Sequence, residues 1–140
     1  MQPSTEVRDT VLRFYDRISA KDVASFDRLV SRNEHTLVIG TAPGEWVTDR
    51  PRLRYGFEAE GMTLTAGPNP RGWERGDVGW AVDEPTYHFP DQSSMRCRLT
   101  ALVQREDGDW RIVHMHWSVG VPDDEVVDLQ ARWGTNVAPA

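Results

Sequence analysis

The chain has 140 residues, of which 39% are hydrophobic, and it carries a formal net charge of −6 at pH 7. This length allows one domain with its own hydrophobic core, and the acidic balance disfavours binding to the phosphate backbone of nucleic acids. No apolar run approaches the roughly 20 residues that span a bilayer, and the N-terminus lacks the layout of a secretory signal. We therefore expect one soluble, cytoplasmic domain that binds neither nucleic acid nor membrane.

Two helices are predicted in the first third of the chain. Apolar side chains recur at helical spacing from Val7 to Ile18, and Ser4 precedes them where it can cap free amide groups. Asp22 offers a second N-cap before an apolar stretch that reaches Val30. We expect these helices to pack as a hairpin.

A short strand and a third helix are predicted next. Residues 36–40 form a β-rich run, and Asp49 followed by Arg50-Pro51 is typical of a helix start, with Gly61 as the expected end. Residues 67–76 contain two prolines and three glycines, which predicts an exposed loop.

The second half of the chain is predicted to be mainly β. Strands are expected at residues 78–83, 86–89, 95–105 and 110–119, and a C-terminal helix at residues 123–133, after which the last residues are expected to be frayed. Asp107-Gly108 predicts a tight hairpin turn before the last strand. Helices followed by a meander of strands imply an α+β fold, in which a curved antiparallel sheet wraps around the helices and leaves a cavity.

The last strand has two unlike faces, because side chains alternate along a strand. One face is apolar throughout and comprises Val113, Met115, Trp117 and Val119. The other face is apolar at its start and polar further along, and comprises Trp110, Ile112, His114, His116 and Ser118. We expect the apolar face to form a dimer interface and the histidine face to line the cavity. On an earlier strand, the stripe Val78/Trp80/Val82 is expected to have Trp80 in the core.

This order of elements resembles the nuclear transport factor 2-like superfamily, and in particular its SnoaL-like branch. The resemblance covers roughly residues 5–120, within a single domain of residues 1–140 that ends in a tail of residues 121–140. It is carried by Val38-Ile39-Gly40-Thr41, by Gly44-Glu45-Trp46 and by the strand at residues 110–118. It implies a cone-shaped fold with a pocket between the helices and the concave side of the sheet, and a homodimer formed through the sheets. Members of the superfamily include isomerases, cyclases, dehydratases and epoxide hydrolases, and also proteins that are not enzymes.

The resemblance implies that Trp46, Arg98, His116 and Ser118 lie in the pocket. A neutral histidine can act as a base or a hydrogen-bond donor near neutral pH, so His116 is the leading catalytic candidate. Ser118 could orient it, and Arg98 could polarise a substrate oxygen through its planar guanidinium. Alternatively, the His116 ring forms a hydrogen bond with Thr100 or with a cross-strand carbonyl. Arg98 then belongs to a solvent-exposed row of charged side chains across neighbouring strands.

Four further residues are candidate ligand contacts. Trp46 and Tyr15 could form aromatic walls, Thr100 shares a face with the candidate arginine, and Glu45 could be a general base at the cavity mouth. In the alternative, Tyr15 completes the core, and Glu45 with Trp46 forms a cap and a hydrophobic staple. Isomerases and cyclases of the superfamily rely on an acidic base, or on an acid paired with a tyrosine, and neither Asp83 nor Glu84 can be aligned with such a residue.

A metal site is the main competing chemistry. His114 and His116 point the same way on a strand, and His88, Glu84 or Asp83 could supply a third ligand. No accompanying motif has the spacing of a ligand set, so we predict no metal and no other cofactor. The single cysteine, Cys97, is expected to be an inert core thiol.

Two hypotheses follow from the sequence. The first is a protein that binds a compact hydrophobic small molecule and could catalyse proton transfer on it as an isomerase, a cyclase or a dehydratase. The second is a homodimeric association or ligand-binding domain without catalysis. The residues leave open whether the protein is an enzyme.

Overall fold

The structure is a computed structural model that describes residues 1–135. Helix α1 (Thr5–Ser19) begins as expected, because the Ser4 side chain accepts a hydrogen bond of 3.2 Å from the Val7 amide. A 3₁₀ turn (Val23–Ser25) capped by Asp22 leads into α2 (Phe26–Leu29). The second predicted helix is therefore only a short helical segment.

Helix α3 (Arg50–Glu58) begins where predicted, since the Asp49 carboxylate accepts a hydrogen bond of 3.1 Å from the Arg52 amide. It ends before Gly61. Helix α4 (Asp123–Trp133) is present as predicted and buries none of its side chains. The frayed end predicted beyond it falls on residues 136–140, which lie outside the described residues. Among residues 1–135, no helix is both long and apolar enough to cross a membrane.

Ten strands are described: β1 (Gln2–Pro3), β2 (Leu37–Ile39), β3 (Trp46–Val47), β4 (Thr63–Thr65), β5 (Arg71–Arg75), β6 (Val78–Asp83), β7 (Thr86–His88), β8 (Ser94–Arg96), β9 (Arg98–Glu106) and β10 (Asp109–Ser118). Seven of them form one sheet in the order β1-β5-β6-β9-β10-β2-β3, and the remaining three form a sheet in the order β4-β7-β8. Every pair of the larger sheet is antiparallel except β2 with β10, which is parallel. The curved larger sheet packs on the N-terminal helices and does not close, which confirms the predicted α+β class.

Two predictions about the strands were wrong. Residues 71–75, expected in an exposed loop, form β5, which pairs with β6 along its whole length. The strand expected over residues 95–105 is two strands in different sheets, β8 and β9. The predicted hairpin turn is confirmed, because Asp107 and Gly108 both have positive φ angles, of 51° and 85°.

A β-bulge in β10 reverses the predicted faces of the last strand beyond Ile112. The register with β9 shifts between Ile112 and His114, so alternation restarts one residue later. Met115 and Trp117 are consequently buried on the same side as Trp110 and Ile112. The prediction that Met115 and Trp117 form a dimer interface was wrong, because both belong to the core.

The outer face of the larger sheet carries the residues that the bulge displaces. His116 lies opposite Thr100 in the ladder, and His114 lies opposite Leu102. On β9, Leu102 and Thr100 are exposed whereas Leu99 is buried, so the histidines share the outer face. On β6 the same alternation buries Gly79, Ala81 and Asp83, so the stripe Val78/Trp80/Val82 faces outward and Trp80 is not in the core.

Candidate ligand cavity

A cavity of about 140 Å³ lies between α1, α3 and the concave face of the larger sheet. The helices and the sheet both contribute to it, because their apolar faces turn toward each other there. Its lining comprises Phe14, Ile18, Val30, Thr36, Val38, Val47, Arg52, Leu53, Gly56, Tyr87, Ile112, Met115 and Trp117.

Aromatic rings pack against one another in and behind the cavity walls. The Phe57 ring packs edge-on against Phe14 and Phe26, with centroids 5.4 and 5.5 Å apart. On the sheet side, the centroids of Tyr87 and Trp117 are 5.1 Å apart. Such contacts between aromatic rings stabilise one arrangement of the wall over others.

Few polar groups reach the cavity. The Thr36 hydroxyl is already used, because it donates a hydrogen bond of 3.2 Å to the Ser31 carbonyl. Tyr87 brings a phenol, and burial raises its pKa above its ordinary value, so it stays neutral at physiological pH. Arg52 is the cationic residue of the lining. Its closest carboxylate oxygen, on Asp49, is 3.9 Å from its Nε atom, so the guanidinium is weakly paired.

The mouth of the cavity continues into a shallow outer depression. Val47 and Arg52 line both spaces, and the depression is completed by Glu45, Pro51 and Tyr55. Glu45 therefore lies outside the chamber, near its mouth. Its carboxylate accepts a hydrogen bond of 3.3 Å from the Ala42 amide within the same turn, which is the geometry expected if Glu45 is a cap.

A buried tyrosine and carboxylate lie behind the cavity wall. Tyr15 on α1 is 2% exposed, and Asp83 at the end of β6 is 7% exposed. Among the described residues, neither the Tyr15 hydroxyl nor Oδ1 of Asp83 has a hydrogen-bond partner, whereas Oδ2 accepts a hydrogen bond of 3.0 Å from the Gly67 amide. Burial, followed by the negative charge of Asp83, raises the pKa of Tyr15. Neither residue lines the cavity, since Trp117, whose ring centroid is 6.4 Å from that of Tyr15, forms the wall.

Four of the predicted site residues come together, but on the outer face of the sheet. His116 pairs with Thr100, and Ser118 pairs with Arg98, whose Nε atom donates a hydrogen bond of 3.3 Å to the serine hydroxyl. His116 is exposed and does not line the cavity. The β10 bulge is the physical reason, because one extra residue moves every later side chain to the other face.

Trp46, the remaining predicted contact, also faces outward. It is 62% exposed, and alternation along β3 turns its neighbour Val47 into the cavity instead. The alternative reading of Tyr15 as part of the core agrees with its burial.

The candidate metal ligands are not assembled. Within residues 1–135, no group of three or more His, Cys, Asp or Glu side chains is arranged to hold a metal ion. Nδ1 of His114 is 2.9 Å from the Leu37 carbonyl oxygen, and Nε2 of His88 is 2.9 Å from the Thr65 hydroxyl in the smaller sheet. Cys97 is buried as expected, and burial raises the pKa of its thiol, which keeps it protonated.

Met115 and Trp117 are the cavity residues that sequence reasoning placed on the wrong face. A signal for them does exist in the sequence. Trp110 and Ile112 form one apolar pair and Met115 and Trp117 another, and the two pairs are out of phase by one residue. An uninterrupted strand puts such pairs on opposite faces, whereas a bulge between them unites both pairs on one.

The fold and the cavity define a class of α+β proteins in which a curved sheet encloses a small chamber against N-terminal helices. The family model described as a SnoaL-like domain matches residues 7–122, and the chain belongs to that family. A search of curated proteins found no match.

Solved structures share the fold at low sequence identity. A nuclear transport factor 2-like superfamily protein from Salmonella enterica serovar Typhimurium is 17% identical, with 84% of this chain and 91% of that chain covered and a TM-score of 0.69. The association domain of C. elegans CaMKII is 19% identical, with 79% and 91% covered and a TM-score of 0.63. A nuclear transport factor 2-like protein of unknown function from Pseudomonas putida is 15% identical, with 86% and 88% covered and a TM-score of 0.67.

Proposed function

We propose that the protein binds a compact, mostly apolar small molecule in the cavity between α1, α3 and the sheet. The observation that carries the proposal is an apolar-walled chamber of about 140 Å³ inside the fold. Apolar cavities of about 150 Å³ accommodate a ligand the size of benzene. A single ring or a short branched chain therefore fits this chamber, whereas a steroid-sized molecule does not.

Arg52 narrows the class of ligand further. Arg52 lines both the chamber and the outer depression, and its Nε atom is 3.9 Å from the Asp49 carboxylate. Arginine binds carboxylates through a planar pair of donors. The proposed ligand is an apolar acid whose ring or chain fills the chamber and whose carboxylate reaches Arg52.

The cavity supports binding better than proton transfer. The described residues that line it include no histidine, aspartate or glutamate, so no ordinary general base lies within the chamber itself. The buried Tyr15–Asp83 pair is separated from the chamber by the wall that contains Trp117. We therefore propose a binding function for the cavity.

Calorimetry with benzoate and toluene tests this proposal. We expect both compounds to bind. Arg52→Gln should weaken the binding of benzoate by about tenfold and leave the binding of toluene unchanged, because one charge-assisted pair is lost. Arg54→Gln is the matched control, since it removes an equal charge two residues further along α3, where Arg54 pairs with Glu58 at 2.8 Å. Absence of binding by both compounds to the unmodified protein, or an equal effect of the two substitutions, would contradict the proposal.

A second candidate function, homodimeric association, is supported by the outer face of the sheet. Trp73 and Trp80 stack there with centroids 4.3 Å apart, and the nearby Val78 and Leu102 are 51% and 37% exposed. Contiguous exposed apolar groups of this kind mark protein–protein contacts. One fold neighbour is an association domain, which is compatible with this role. We propose that two copies pair through this face.

Sedimentation velocity at micromolar concentration tests the pairing. We expect a dimer, and we expect Leu102→Glu to shift it to monomer, since a charge would be buried at the contact. Val127→Glu is the control, because it places the same charge on an exposed valine of α4 that belongs to no strand of the sheet. A monomeric unmodified protein, or a dimer that tolerates Leu102→Glu, would contradict the proposed interface.

A further inference from the structure

A second concave site is lined by residues of α1 adjacent to those that line the cavity. The groove has a volume of about 410 Å³ and is enclosed by α1, by the segment from Ser25 to Leu29 and by the start of β10. Three arginines line it, Arg13 and Arg17 from α1 and Arg28 from α2, together with Asp109 and Trp110. Three cations and one carboxylate thus meet in one groove of a chain whose net charge is −6.

Two of these arginines have no carboxylate partner among residues 1–135. Nη2 of Arg13 donates a hydrogen bond of 3.1 Å to the Thr10 hydroxyl, and Nη2 of Arg28 contacts the Ser25 hydroxyl at 3.5 Å. Of the three, Arg17 alone forms an ion pair within the described residues, with Asp22 at 3.4 Å. Most guanidinium donors at this groove are therefore available to a ligand.

The arrangement has an electrostatic cost within the protein alone. Arg13 and Arg17 are four residues apart on α1, a spacing at which like charges repel each other across the helix surface. Arg28 adds a third positive charge to the same groove. An anion bound among them would remove this repulsion and accept several hydrogen bonds at once.

Trp110 gives the groove an ordered floor. Its indole N–H donates a hydrogen bond of 3.3 Å to Glu6, and the Arg105 guanidinium lies 4.3 Å from the centre of its ring. The indole is thus held in place between α1 and the sheet and lines the groove that the arginines surround.

We propose that this groove binds a tetrahedral oxyanion of the phosphate type, either free or as the phosphoryl group of a small metabolite. Arg13 and Arg28 supply the free guanidinium donors and Arg17 adds a third positive charge, whereas the Ser25 hydroxyl already donates a hydrogen bond of 2.6 Å to the Asp22 carboxylate. Three arginines around one groove can offer enough donors for the three terminal oxygens of a phosphoryl group, whereas a carboxylate has only two oxygens to accept them. The site is independent of the apolar cavity, which is lined by other residues of α1.

NMR titration of the full chain with inorganic phosphate tests the proposal, at ionic strength held constant with chloride. We expect saturable shifts of the Trp110 indole N–H and the Ser25 amide, which report directly on the groove. The double substitution Arg13→Gln/Arg28→Gln is expected to weaken binding by about tenfold or more. Arg54→Gln/Arg96→Gln is the matched control, because it removes the same charge from other surfaces where both arginines are paired.

Three outcomes would overturn the proposal. Phosphate could leave both probes unshifted, or the control double substitution could weaken binding as much as the groove substitution does, which would indicate a general charge effect. Acetate could also bind as tightly as phosphate, which would show a carboxylate site instead of one for a tetrahedral anion. Methyl phosphate extends the test, because a phosphoryl site must accept the ester as well as the free ion.

Discussion

Gly56 connects the stability of helix α3 to the size of the cavity. It lies within α3 and lines the chamber, and a Cβ atom built on it would meet only Cδ1 of Ile18, at 3.5 Å. This is an ordinary van der Waals distance, so alanine fits without strain. A glycine within a helix costs about 0.5–1 kcal/mol relative to alanine. Gly56→Ala should therefore stabilise the fold by about that amount and raise the Tm by roughly 2–4 °C.

Gly79→Ala provides the opposite case on the sheet. A Cβ atom there would lie 2.7 Å from Cγ2 of Val7 and 2.8 Å from the Trp73 carbonyl oxygen. The carbonyl belongs to the paired strand β5 and cannot move freely, so the substitution should cost about 1–3 kcal/mol. Chemical denaturation of both variants and the unmodified protein measures the two effects on one scale.

A larger side chain at position 56 extends the test to function. Gly56→Leu should occupy part of the chamber of about 140 Å³ and abolish binding of toluene, while the protein remains folded. Calorimetry measures the binding, and circular dichroism checks the fold. A fall in Tm for Gly56→Ala would refute the helical argument, and undiminished toluene binding by a folded Gly56→Leu would show that the ligand lies elsewhere.

Three further predictions follow from burial and hydrogen bonding. Met115→Ala should lower the free energy of unfolding by about 2–5 kcal/mol, whereas His116→Ala should change it by less than about 0.5 kcal/mol and leave toluene binding intact. Urea titration of both variants measures these effects. A larger loss for His116→Ala than for Met115→Ala would show that the two faces are wrongly assigned. The raised pKa values of Tyr15 and Tyr87 keep both phenols protonated in the fold, so full stability should hold below the unfolded-state pKa near 10 and decline above it, by about 1.4 kcal/mol per pH unit for each phenol. Tyr87→Phe should remove the contribution of one phenol to the slope of unfolding free energy against pH. An unchanged slope in denaturation experiments at pH 10–11 would show that the fold does not hold Tyr87 in its neutral form. Asp49→Ala removes the cap of α3 and should lower stability by about 1 kcal/mol, to be measured against Asp49→Asn, which retains a capping oxygen.

Local chemistry was enough to predict the helix starts and the hairpin turn. Ser4 and Asp49 cap α1 and α3 as expected, since a capping side chain needs only the next three residues of its own chain. Asp107-Gly108 likewise specifies its turn through local backbone preferences. By contrast, β5 was missed, because Arg71–Arg75 has loop-like composition and becomes a strand by pairing with β6. Whether such a segment forms a strand depends on the strand with which it pairs, and local amino-acid composition does not reveal that partner.

Some properties of the last strand are determined by its sequence alone, and others only by the tertiary structure. Its position, its length and the difference between its two faces follow from the amino-acid order alone, as does the α+β class that places it at the end of a meander. Which face is inside depends on one bulged residue between Ile112 and His114, and that bulge exists only in the pairing with β9. Because strand alternation has a period of two, a single inserted residue exchanges the faces, which puts Met115 and Trp117 in the cavity wall and His116 in solvent.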